Sequence, residues 1–70
     1  MDAASFFRAL LTDVTIVLIA DDHPMVRRAL AEIVTEVMSG PVQIVEAGSF
    51  ADISETLGQR AVDLLLLDLS

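Results

Sequence analysis

The chain reads VTIVLIADDHP over residues 14–24, where an apolar run meets an acidic pair and a proline. It opens with an apolar, β-branched run that lacks sustained polar alternation, which is typical of a parallel strand covered on both faces. The acidic pair Asp21 and Asp22 ends that run. Pro24 suits the first position of a helix, because its missing N–H group is not needed there. The stretch therefore predicts a buried strand that passes into a helix, with two carboxylates at the junction.

The rest of the chain alternates between helical and extended patterns. After Pro24, apolar residues recur at helical spacing as far as Val37, and Gly40 with Pro41 ends that helix. Ser49, followed three residues later by Asp52, resembles a second helix start. Two further strands are predicted over residues 42–47 and 63–67. The order of strand, helix, strand, helix and strand predicts an α/β fold with a parallel sheet.

Two predictions concern packing within this fold. In the second helix, Phe50, Ile53 and Leu57 form the expected buried stripe, while Met25 and Met38 fit core or helix-end packing. Residues 1–13 lie outside the alternating pattern and are expected to be a lead-in. The domain is thus expected over residues 14–70.

Composition excludes several classes of protein. Acidic residues outnumber basic ones by 11 to 4, giving a net charge of -7, and no basic cluster is present to neutralise phosphates. Nucleic-acid binding by this segment is therefore not expected. The lack of cysteine excludes disulfides and thiolate metal sites, and it suits a cytoplasmic location. No apolar run is long enough to suggest a membrane-spanning helix.

Three carboxylates point to a possible chemistry. Asp21, Asp22 and Asp68 each follow or end a predicted strand, and ligands of open α/β sheets collect at the carboxyl ends of the strands. If the first and third strands are neighbours, the three acids converge and must bind a proton or a cation. Oxygen ligands select a hard ion such as Mg²⁺, beside which a carboxylate can attack a phosphoryl group. The simpler alternatives are a favourable helix N-terminus at Asp21 and Asp22 and a turn residue at Asp68.

Three segments together resemble a known family. IVLIADDHPMVRRAL resembles the first strand, acidic pair and first helix of response-regulator receiver domains, VQIVEAGSF their second strand, and VDLLLLDL the strand that presents their phospho-acceptor. The resemblance covers residues 14–70, and the DDHP form is similar to the NarL/FixJ type. It implies a partial flavodoxin-like βαβαβ unit with the parallel strands in the order 2-1-3. It also implies that the chain is the front portion of such a domain.

The resemblance implies roles for individual residues in a two-component signalling system. Asp68 is the expected phospho-acceptor, Asp22 a direct Mg²⁺ ligand, Asp21 a partner acting mainly through water, and the Ser70 backbone carbonyl a further ligand. The phosphodonor would be a sensor histidine kinase. DNA would be contacted only through an output domain that this chain does not contain. The chain would accept the phosphoryl group without being an enzyme itself.

The sequence is also compatible with other interpretations. The chain can be an incomplete, inactive domain, or a fragment of a haloacid-dehalogenase-type phosphatase, although the expected D-x-D-x-T motif is not found after the first strand. With the order 2-1-3 the third strand is an edge, where self-association through exposed backbone is a hazard. For His23 a role at the start of the helix is favoured over metal ligation, and for Arg27 and Arg28 a solvated helix face is favoured over kinase docking.

Overall fold

The structure, a computed structural model, describes residues 14–69 of the chain. The predicted lead-in over residues 1–13 and the predicted ligand Ser70 lie outside these residues. The described elements are, in chain order, β1 (Thr15–Asp21), α1 (Pro24–Val37), β2 (Val42–Ala47), α2 (Phe50–Gln59) and β3 (Leu64–Asp68). They form an α/β unit with a three-stranded parallel sheet in the order β2-β1-β3, which confirms the predicted class and strand order.

Strand β1 is the centre of the unit. It pairs with β2 along one edge and with β3 along the other, and residues 17–20 are buried. Because successive side chains of a strand point to opposite faces, β1 contributes to two small cores. Leu18 and Ala20 pack with Ile53 of α2 on one face, while Val17 and Ile19 pack with Val34 of α1 on the other. The apolar run therefore forms a doubly covered strand, as predicted.

Both helices begin as the sequence predicts. Pro24 is the first residue of α1, and Ser49 caps α2 because its Oγ atom accepts a hydrogen bond of 3.2 Å from the Asp52 N–H group. The chain leaves α1 through Gly40, whose φ of +116° is a conformation that side chains disfavour. Local capping residues thus determine where the helices start, and Gly40 allows the chain to turn from α1 towards β2.

The predicted apolar stripes are less buried than expected. Within α2 only Ile53 is buried, whereas Phe50 and Leu57 are exposed, and Met25 of α1 is 85% exposed. The predictions of burial for Phe50 and Leu57 and of core packing for Met25 are therefore wrong. The reason is the position of the helices, since α1 packs over β1 and β2, and α2 mainly over β2. Met38 does pack beside the core that contains Val34.

Strand β3 is an edge of the described sheet. It pairs with β1, and Leu64, Leu65 and Leu67 are all exposed because neither helix packs mainly over this side. The strand starts at Leu64, one residue later than predicted. Asp63, just before it, is hydrogen-bonded to β1. The Asp63 N–H group donates to the Ile16 carbonyl at 2.8 Å, and the Ile16 N–H group donates to Asp63 Oδ2 at 2.7 Å. Self-association through this edge stays a prediction.

Neither α1 nor α2 combines the length and the apolar character that crossing a bilayer requires.

Candidate functional site

The candidate site lies at the carboxyl ends of β1 and β3. Asp21 is the last residue of β1 and Asp68 the last of β3, and the two are direct partners in the parallel register. Asp21 is only 2% exposed, whereas Asp68 and Asp22 are exposed. The strand pairing thus brings a buried and an exposed carboxyl residue side by side at the edge where α/β sheets bind ligands.

The buried carboxylate of Asp21 is held in its ionised form by local contacts. Its Oδ1 atom accepts a hydrogen bond of 2.8 Å from the His23 N–H group and lies 3.1 Å from His23 Nδ1. The backbone hydrogen bond lowers the pKa of Asp21 below its usual value of 3.8, and burial offsets only part of that effect. Asp21 is therefore a charged ligand candidate at neutral pH.

His23 is tied to both acids of the acidic pair. Its Nδ1 atom lies 2.7 Å from Asp22 Oδ1, in addition to the contact with Asp21. The hydrogen bond to Asp21, followed by the charge of Asp22, raises the pKa of His23 above 6.5. The residue occupies the N-cap position of α1, as predicted, but its side chain makes no capping hydrogen bond. The ring instead balances negative charge, a role that sequence analysis missed.

Arg27 also belongs to the site. Its Nη1 atom donates to the backbone carbonyl of Asp21 at 2.7 Å, and its Nε atom donates to Glu46 Oε1 at 3.1 Å. The side chain is only 18% exposed, so the predicted solvated position is wrong. One signal in the sequence could have suggested the pair. Glu46 lies near the carboxyl end of the second parallel strand, and α1 starts just beyond the carboxyl end of the neighbouring strand β1.

The donor set determines which cation the site could hold. Asp21, Asp22 and His23 can each offer one ligand atom, and these atoms lie within 4.8 Å of one another. The carboxylate oxygens, with Asp68 on the neighbouring strand, fit a hard ion such as Mg²⁺. The imidazole nitrogen does not suit Mg²⁺, so the His23 ring would act as a competing cation for the same oxygens. The carboxylates fit the ion that the sequence suggests, although the Asp68 carboxylate is not part of the compact group.

Comparison with known proteins adds no assignment. The chain matches no protein-family model, no curated protein and no solved structure.

Proposed function

We propose that this chain serves as a phospho-accepting receiver module of a two-component system, with Asp68 as the acceptor and Mg²⁺ bound beside it. The single observation that carries the proposal is the register of the sheet, in which Asp68 is the partner of the buried, ionised Asp21. Two neighbouring parallel strands thus present carboxylates at their carboxyl ends, and Asp22 follows Asp21 directly in the sequence.

The proposed reaction is a transfer of a phosphoryl group to the Asp68 carboxylate. A carboxylate oxygen forms a bond to phosphorus while the P–N bond of a kinase phosphohistidine breaks, and the departing imidazole keeps the electron pair and takes up a proton. Bound Mg²⁺ would supply charge neutralisation for the phosphoryl oxygens and for the carboxylates. The exposure of Asp68 lets a large phosphodonor protein reach it.

The neighbouring residues have distinct roles in this proposal. Asp22 is exposed and would hold the cation directly, whereas buried Asp21 would act mainly through water, and the Ser70 carbonyl would add a ligand. The low pKa of Asp21 keeps its negative charge available at neutral pH, since its hydrogen bonds favour the ionised form. In the cytoplasm the module would receive the phosphoryl group from a sensor histidine kinase and act on DNA through a separate output domain.

A labelling experiment tests the assignment. The chain, together with the product of any in-frame continuation of its coding sequence, is incubated with Mg²⁺ and a small acyl phosphate, and intact mass is measured. The expected product gains one phosphoryl group, which hydroxylamine removes as it does from an acyl phosphate. Asp68→Asn and chelation of Mg²⁺ should each abolish the gain.

Asp63→Asn is the matched control, because it makes the same charge change just before the opposite end of β3. An asparagine oxygen can still accept the hydrogen bond from the Ile16 N–H group, so β3 should keep its register. Labelling that persists in Asp68→Asn would rule out Asp68 as the acceptor. A lack of labelling in the unaltered protein would do the same if a cooperative unfolding transition shows that this protein is folded.

A further inference from the structure

The Arg27 guanidinium connects three elements at the candidate site. It is carried on α1, donates to the carbonyl at the end of β1 and donates to Glu46 near the end of β2. Arginine presents its N–H groups in a rigid, planar fork, so two acceptors fix both the position and the orientation of the group. The neighbouring Arg28 is exposed and makes neither contact.

The backbone at Gly48 leaves room for this arrangement. A Cβ atom built at Gly48 would lie 3.2 Å from Arg27 Nη1, which is tighter than an ordinary van der Waals contact. The same nitrogen donates to the Asp21 carbonyl. The guanidinium is therefore confined between the connection after β2 and the end of β1.

We propose that Arg27 is a positioning residue that fixes the Asp21–Asp22 peptide and thereby sets the geometry of the cation site, an inference that rests on the proposed function. The carbonyl that Arg27 binds belongs to the peptide group that joins the two acids, so the hydrogen bond restrains the plane of that peptide. The direction in which the Asp22 side chain leaves the backbone depends on the same plane. Glu46 holds the guanidinium from the other side.

The sign of the effect separates positioning from simple electrostatics. Arg27 carries a positive charge next to a site for a cation, so Coulomb repulsion alone predicts that removal of this charge tightens Mg²⁺ binding. A positioning role predicts the opposite, because loss of a residue that orients ligands weakens metal affinity by about 10-fold or more. The two explanations therefore cannot produce the same result.

The experiment measures Mg²⁺ affinity by isothermal titration calorimetry for the full chain and three variants. Arg27→Gln is expected to weaken binding by about 10-fold, as loss of an orienting group does. Arg28→Gln, the matched control with the same charge change, should leave affinity equal or slightly higher. Arg27→Lys keeps the charge but lacks the rigid planar fork that fixes the group between its two acceptors, so its affinity should fall between those of Arg27→Gln and the unaltered chain. Equal affinities for Arg27→Gln and Arg28→Gln would overturn the proposal.

A second measurement does not depend on metal. The backbone amide resonances of Asp22 and His23 are recorded by nuclear magnetic resonance in metal-free buffer, and Arg27→Gln should shift them far more than Arg28→Gln does. Unchanged resonances in folded Arg27→Gln, or in Arg27→Lys if the glutamine variant does not fold, would overturn the positioning role. Failure of the unaltered chain to bind Mg²⁺ would instead refute the proposed function, and the amide shifts would still decide the role of Arg27.

Discussion

Replacement of Ile19 by valine should destabilise the protein more than the same replacement at an exposed isoleucine. Ile19 is 0% exposed and lies in the middle of β1, where it packs with Val34 and has Glu46 and Leu66 as its strand partners. Paired strands on both sides limit how far the backbone can move to fill the space that one missing methylene leaves. The expected loss in the free energy of unfolding is about 0.5–1.5 kcal/mol.

This mild substitution suits a protein of limited stability. A core of this size supplies about 3–5 kcal/mol, so Ile19→Val should remain folded, whereas truncation of Leu18 to alanine, at about 2–5 kcal/mol, would unfold much of the population. Urea unfolding followed by circular dichroism measures the change. With a slope of about 1 kcal/mol per molar urea, the midpoint should fall by about 0.5–1.5 M.

Ile33→Val is the matched control. It removes the same methylene from a β-branched residue, but Ile33 lies on α1 and is 54% exposed. Its effect should be within about 0.5 kcal/mol of zero. Equal midpoint shifts for the two variants, or a larger shift for Ile33→Val, would refute the inference that β1 is the doubly covered centre of the fold.

Two further predictions concern the helix starts. Ser49→Ala should reduce the free energy of unfolding by about 1 kcal/mol, because Oγ no longer accepts from the Asp52 N–H group; an unchanged urea midpoint would contradict this role. Asp21 and Asp22 raise the pKa of His23 in the folded protein, so protonated His23 stabilises the folded state. This contribution to the free energy of unfolding is fully present below pH 6.5 and is lost as the pH rises through the raised pKa. Urea midpoints in metal-free buffer should therefore fall over that interval in the unaltered chain and not in His23→Gln, and parallel profiles would contradict the ion pairing.

The predictable features are those with a local cause. The uninterrupted apolar run of β1 could be recognised because a strand covered on both faces needs no polar alternation. The similar run of β3 also forms a strand, although most of its leucines are exposed. Pro24 and Ser49 marked the helix starts because capping depends on a few adjacent residues. Asp21 and Asp68 could be placed at one edge once the sheet was taken as parallel, since the carboxyl ends of parallel strands coincide.

The features that sequence analysis missed depend on tertiary placement. Arg27 and Glu46 are 19 residues apart in the sequence. They meet because α1 starts just beyond the carboxyl end of β1, on the side of the sheet where β2 also ends. Likewise, helical spacing identifies Phe50 and Leu57 as one face of α2, but it does not tell how much sheet lies under that face. The exact direction of a side chain, such as the His23 ring between two acids, depends on the backbone after β1 and is not encoded in a motif.

The central position of β1 has a consequence for how the chain leaves the ribosome. β1 is synthesised before both of its partner strands, and the contact that leads into its pairing with β3 joins Ile16 to Asp63, 47 residues further along. Parallel strands cannot form local hairpins, so this contact must wait until the later strand has emerged, and its formation is slow. During translation the strand that contributes to both cores thus waits the longest for its partners, and the nascent chain is expected to depend on chaperone protection until β3 is complete.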